Sequence, residues 1–127
     1  VRPVPVRLRH TCSPLPARAE NGQVLAPPIA NADGNYFCDA STLVDLGRNG
    51  QVIFRYTTPD GREVASANPN GSLAGIAGIC NGQRNVVGLM PHPERVFRSI
   101  QNSWRPLSWG EDGAWLRMFR NARRWVD

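Results

Sequence analysis

Apolar residues in this chain change their period several times, and each change marks an element. In residues 51–57, Val52, Phe54 and Tyr56 alternate with Gln51, Ile53 and Arg55, the period-two pattern of a strand. Thr58-Pro59-Asp60-Gly61 then supplies the residue types of a tight turn. Apolar runs at 73–80 and 85–90 predict two further strands, joined as a hairpin through Asn81-Gly82-Gln83-Arg84. From 111 to 126 the period lengthens. Trp115, Met118, Phe119, Ala122, Trp125 and Val126 recur at spacings of three and four, which predicts a helix. Arg117, Arg120, Arg123 and Arg124 fall on its other side and in its last turns, where they favour the helix dipole. A shorter helix is expected with Ser41 as its N-cap, Leu43 and Leu46 on one face, and Gly50 just past its end. Residues 23–30, interrupted by Pro27 and Pro28, read as a strand end or edge strand. Residues 1–19 are rich in proline and arginine without any period. They read as an irregular N-terminal arm, with 20–127 as the folded part.

Composition narrows the function classes. At 127 residues, 41% of them hydrophobic, the chain is one domain at most and can bury a core. All fifteen basic residues are arginine, which excludes Schiff-base and P-loop lysine chemistry. A coding preference for arginine explains that balance most simply. The pI near 10.1 raises nucleic-acid binding, but the arginines are scattered and no aromatic-plus-basic stacking motif accompanies them. An arginine-driven nucleic-acid binder is therefore the weaker alternative, and no nucleic acid is expected as partner. Cys12, Cys38 and Cys80 are an odd number without a CxxC pair, which fits neither a disulfide framework nor a zinc site. With only His10 and His92 as histidines, no metal site is expected. No apolar run approaches the ~18 residues of a membrane span, and no signal peptide is visible, so the expected compartment is the cytoplasm, with no membrane partner.

Chemistry concentrates at residues 86–95. An apolar run, Val86-Val87-Gly88-Leu89-Met90, stops at Pro91-His92-Pro93-Glu94. Each proline fixes φ and forbids helix, so the imidazole and the carboxylate are presented together at a strand's C-terminal edge. In an open α/β sheet chemistry gathers at such an edge. A histidine and a carboxylate two residues apart suit the base half of a nucleophilic triad. The spacing predicts a hydrogen bond between them of ~2.6–3.2 Å.

Met90-Pro91-His92-Pro93-Glu94-Arg95 also resembles the C-terminal catalytic motif of class I glutamine amidotransferases, in particular the glutaminase of phosphoribosylformylglycinamidine synthase. Ala67-Asn68-Pro69-Asn70-Gly71-Ser72 and Ile76-Ala77-Gly78-Ile79 precede it in the family's order and spacing. Pro28-Ile29-Ala30 with Asp33-Gly34-Asn35-Tyr36-Phe37 is similar to another family segment. Asn102-Ser103-Trp104, Trp109-Gly110-Glu111-Asp112-Gly113 and Phe119-Arg120-Asn121-Ala122-Arg123 resemble the C-terminus of the long, fused form. The resemblance covers about residues 20–127. It implies an α/β fold, the C-terminal portion of a class I glutamine amidotransferase (flavodoxin-like) domain, with a β-hairpin and a C-terminal helix. It implies that glutamine is the substrate and that a synthetase domain or subunit is the partner. ATP and magnesium are expected in that synthetase, and no cofactor in this chain. Catalytic roles are carried over to His92, as general base and acid, and to Glu94, which would hold its tautomer.

A glutaminase of this class also needs a cysteine thiolate on an elbow of strand, strained turn and helix. Gly78-Ile79-Cys80-Asn81-Gly82 imitates the elbow's glycines, yet a second strand is expected after it, and Cys80 precedes His92 by only twelve residues. Cys80 is therefore expected to be a strand-end residue, and Cys12 and Cys38 lack elbow glycines. The nucleophile segment is expected to be absent, with the isolated chain inactive as a glutaminase. Asn31 stands where the family usually has histidine, and asparagine cannot titrate near neutrality. The loop 68–72 is expected near the site or at a synthetase contact, and Trp104, Trp109 and Trp115 in the core or at an interface. The alternative from another class is a non-catalytic module that docks on a synthetase.

Overall fold

The computed structural model describes residues 2–9, 22–30, 34–103 and 105–127. His10, Cys12, Asn31 and Trp104, and the expectations attached to them, lie outside the described residues. The strands are β1 (Arg2–Pro3), β2 (Val6–Leu8), β3 (Val24–Leu25), β4 (Pro28–Ile29), β5 (Val52–Tyr56), β6 (Ile76–Cys80) and β7 (Val87–Leu89). The helices are α1 (Ala40–Arg48) and α2 (Leu116–Val126). Five strands form one sheet in the order β3-β2-β5-β6-β7, and β1 pairs with β4 in a two-stranded ribbon. Every pairing is antiparallel, so the parallel-sheet argument for the His92 loop does not apply to these strands.

The expected irregular arm at 1–19 is overturned for residues 2–8. There β1 and β2 form, and β2 lies inside the sheet between β3 and β5. Val6 and Leu8 are fully buried, while Arg7 between them is half-buried, so the period of two is present but only three residues long. A strand that short draws its stability from its neighbours rather than from its own pattern. Val6 faces Leu25 on one side and Tyr56 on the other.

The central strand β5 is buried along nearly its whole length, Ile53 included, rather than on alternate residues. Its register against β6 shifts between Val52 and Phe54 and again between Phe54 and Arg55. These irregularities let one short strand serve two clusters. Val52 packs with Leu46 of α1 and Ile76 of β6. Ile53, Phe54 and Tyr56 pack with β2, Val96, Trp115 and Met118. Phe54 and Trp115 hold their ring centroids 6.1 Å apart in a tilted pair, which places Trp115 in the core as expected.

Local chemistry moves two of the expected boundaries and sets the form of the hairpin turn. The cap of α1 is Asp39, not Ser41. Its Oδ1 accepts the Thr42 N–H at 2.8 Å and the Ser41 hydroxyl at 2.5 Å. The Ser41 hydroxyl, the Thr42 N–H and the Thr42 hydroxyl, in that order, hold the Asp39 carboxyl well below its usual range. The helix expected from 111 begins at Leu116, because 111–113 pair back on 97–99. Gly113 N–H donates to the Phe97 carbonyl at 2.7 Å, and Ser99 N–H to the Glu111 carbonyl at 2.8 Å. The β6–β7 hairpin exists, but its left-handed residue is Arg84 at φ 62°, not Gly82. Asn81 Oδ1 instead organises the loop by accepting the N–H groups of Asn85 and Val86, both at 3.0 Å.

Candidate active site

Strand β7 ends at Leu89, and Met90 still donates its N–H to the Ala77 carbonyl of β6 at 3.0 Å. Pro91 and Pro93 are buried, and a single 3₁₀ turn at Pro93–Arg95 closes on His92. The His92 N–H donates to the Pro28 carbonyl of β4 at 2.9 Å, which fastens the loop to the two-stranded ribbon. Prolines on either side thus anchor a backbone whose polar side chains face outward.

His92 Nδ1 lies 2.8 Å from Glu94 Oε1. Both side chains are accessible, 35% and 54% exposed, so a substrate can reach the ring. An ionised carboxylate only accepts, so the neutral ring donates from Nδ1 and leaves the Nε2 lone pair available as a base. Desolvation is the largest influence on Glu94 and opposes its ionisation. The backbone N–H of Glu94, the hydrogen bond from His92 and the charges of His92 and Arg95 outweigh it together and hold the carboxyl below its ordinary value. Arg95 Nε lies 3.9 Å from the same oxygen that His92 engages.

Cys80 ends β6, pairs with Val87 and is 3% exposed within the main core cluster. A turn and then a strand follow it, as expected for a strand-end residue, not the helix that an elbow requires. Cys38 is half-buried just before the cap of α1, and neither thiol forms a disulfide. Among the described residues no group of three His, Cys, Asp or Glu side chains could hold a metal ion. No helix there is long and apolar enough to cross a membrane.

The structure places the 68–72 loop against residues 34–36. Asn70 Nδ2 donates to the Gly34 carbonyl at 2.8 Å, and Tyr36 N–H donates to Ser72 Oγ at 3.0 Å. Sequence reasoning missed these links and the anchoring of His92 on Pro28, because nothing local in the chain signals a partner so distant.

Residues 7–126 match the family model of the CobB/CobQ-like glutamine amidotransferase domain. The chain belongs to this family. The amidotransferase match takes in most of β2, in keeping with that strand's place inside the sheet. The chain is 50% identical over 95 residues to phosphoribosylformylglycinamidine synthase subunit PurQ of Koribacter versatilis, and 52% identical over 92 residues to that of Thermomicrobium roseum. Those matches cover 75% and 72% of this chain, and 41% and 39% of the relatives. The amidotransferase chain thus spans about two-fifths of the length of these curated relatives. A solved structure of PurLQS from Thermotoga maritima matches 99% of this chain and 47% of its own, with a TM-score of 0.70 and 28% identity. The mixed class of helix and sheet and the likeness to phosphoribosylformylglycinamidine synthase subunits agree with what the motifs imply.

Proposed function

We propose that this chain carries the histidine–carboxylate half of a glutaminase site, which supplies ammonia from glutamine to a phosphoribosylformylglycinamidine synthase. The observation that carries the reading is the 2.8 Å pair of His92 Nδ1 and Glu94 Oε1, within a domain of the glutamine amidotransferase family. The names of the relatives, synthase subunits of this one kind, point the same way.

In this mechanism a cysteine thiolate attacks the side-chain amide carbon of glutamine, and a thioester forms as the C–N bond breaks. The protonated His92 ring gives its proton to the departing nitrogen, so ammonia leaves as a neutral base. Water then attacks the thioester, His92 takes the proton, and glutamate and the thiolate are regenerated. Glu94 holds the ring in the Nδ1–H tautomer through both steps and stabilises the imidazolium. Neither Cys38 nor Cys80 stands on a strand-to-helix elbow, so the thiolate is assigned to residues outside those described. The partner is a synthetase domain or subunit, which holds ATP and magnesium, and the compartment is the cytoplasm.

The test is ammonia release from glutamine by the protein as its gene encodes it, assembled with the synthetase. His92→Ala is expected to lower kcat at least ~10³-fold. Turnover unchanged by that substitution would leave the chain a docking module rather than part of a catalytic site.

A further inference from the structure

Between the sheet and α2 the chain leaves a hollow of about 250 Å³. Its apolar wall comes from Leu8 of β2, Phe54 of β5, Trp115 at the cap of α2 and Met118 within it. All four residues are buried. Protein interiors leave few voids larger than a water molecule, so a hollow of this size is unusual in a core wall. A cavity of ~150 Å³ is filled by benzene, and this larger one takes a flat system of two fused rings. Phe54 and Trp115, paired at 6.1 Å, supply aromatic surface for it.

At the rim the lining changes character. Arg117 and Asn121 line this hollow and also a second depression, which Arg120 and Arg124 complete. Their spacing along α2 sets the three arginines and Asn121 side by side on one flank of the helix. Among the described residues that line the depression there is no carboxylate. Arg120 is paired with Asp112 at 2.6 Å, whereas Arg117 and Arg124 form no ion pair among the described residues. Arg117 stands in the first turn of α2, where a cation opposes the helix dipole, and like charges at this spacing repel. Helix stability therefore does not explain the cluster, and an anion beside it would relieve both penalties.

We propose that this flank of α2 is a binding site for a flat two-ring heteroaromatic compound that carries a phosphate, the chemistry of a purine nucleotide. The ring system occupies the apolar hollow. The phosphate meets Arg117 and Arg124, whose planar guanidinium groups match its oxygens two at a time. Neither His92 nor Glu94 lines either hollow, so binding here is independent of the glutaminase reading.

The test uses the protein as its gene encodes it and three probes: adenosine monophosphate, adenosine and inorganic phosphate. Calorimetry gives the affinities, and an azido derivative of adenosine monophosphate, photolysed and mapped by mass spectrometry, gives the place. Adenosine monophosphate is expected to bind about tenfold or more tightly than either part alone. Crosslinks are expected in the peptides that carry Phe54 or Trp115. Arg117→Gln combined with Arg124→Gln changes two exposed side chains. It is expected to weaken adenosine monophosphate about tenfold or more and to leave adenosine unchanged. Ala114→Trp fills the hollow from an exposed position on its rim, and is expected to weaken both nucleoside probes while sparing phosphate. Equal affinities for adenosine monophosphate and inorganic phosphate, crosslinks confined to other peptides, or binding that both variants leave intact would overturn the site.

Discussion

Pro28 and His92 are joined backbone to backbone, the His92 N–H donating to the Pro28 carbonyl at 2.9 Å. Pro28 pairs in turn with Pro3. The loop that carries the dyad is therefore fastened to the beginning of the chain, and the strands at residues 2–8 support the site as well as the core. Proline suits this role, since its carbonyl remains available while its missing N–H needs no partner.

Val6→Asp tests the first strands directly. Val6 is 0% exposed and lies between Leu25 and Tyr56 in the sheet. An unpaired carboxylate there costs several kcal/mol against a total stability of ~5–15 kcal/mol. Loss of the folded state, seen as collapse of amide dispersion in NMR, is the expected outcome. A dispersed spectrum like that of the parent would return residues 2–8 to the status of an arm.

Glu94→Gln should separate orientation from charge. Glutamine can still accept the Nδ1–H bond, but it does not stabilise the imidazolium, so kcat is expected to fall ~10²-fold or more while KM for glutamine changes little. The sign of the pH effect follows from the lowered Glu94 pKa. The stabilisation that Glu94 contributes is fully present above the ordinary glutamate value and drains away as pH falls through the lower, folded value. A Glu94 carboxyl resonance that titrates above the ordinary value would contradict this.

The 127-residue chain alone should release no ammonia from glutamine at an enzymatic rate. His92 has no thiolate to activate among the described cysteines, because Cys80 is sealed in the core and Cys38 stands on no elbow. An oxyanion donor, also a part of the complete site, is worth a further ~10²–10³-fold. Turnover by the purified chain that disappears in Cys80→Ser would reinstate Cys80 as nucleophile.

Gly113→Ala should destabilise the protein by ~1–3 kcal/mol, since the added methyl has no room. Its Cβ would stand 2.4 Å from the Val96 carbonyl oxygen and 3.0 Å from the carbonyl carbon of Phe97, both of them backbone. The measurement is the urea midpoint. Gly82→Ala serves as the control, because nothing lies within 4 Å of its Cβ position and its φ is not left-handed. Equal midpoints for the two variants would refute the crowding argument.

Thr57→Val should raise stability by ~1 kcal/mol. Thr57 is 1% exposed, and its hydroxyl has no hydrogen-bond partner among the described residues. The swap keeps the side chain's shape and removes a buried polar atom that gains nothing in return. A fall in Tm would mean that the hydroxyl has a partner after all.

Sequence alone determined what is decided within a few residues. The Pro-His-Pro-Glu spacing places an imidazole and a carboxylate two residues apart on a chain that proline has stiffened, and the 2.8 Å pair follows from that local geometry. The body of α2 and the strand at 52–56 were legible for the same reason, since periodicity is a property of neighbours along the chain. Tertiary structure decided what depends on partners far away. Three residues at Val6–Leu8 carry too little pattern to announce a strand, and only β3 and β5 on either side make them one. The helix start moved from 111 to 116 because Gly113 fits under the Val96 carbonyl, a contact with no sequence signature. Asn70 reaches Gly34 across 36 residues. A hydrogen bond of that kind forms only after packing has brought its two groups together, so it stays invisible until the chain is folded.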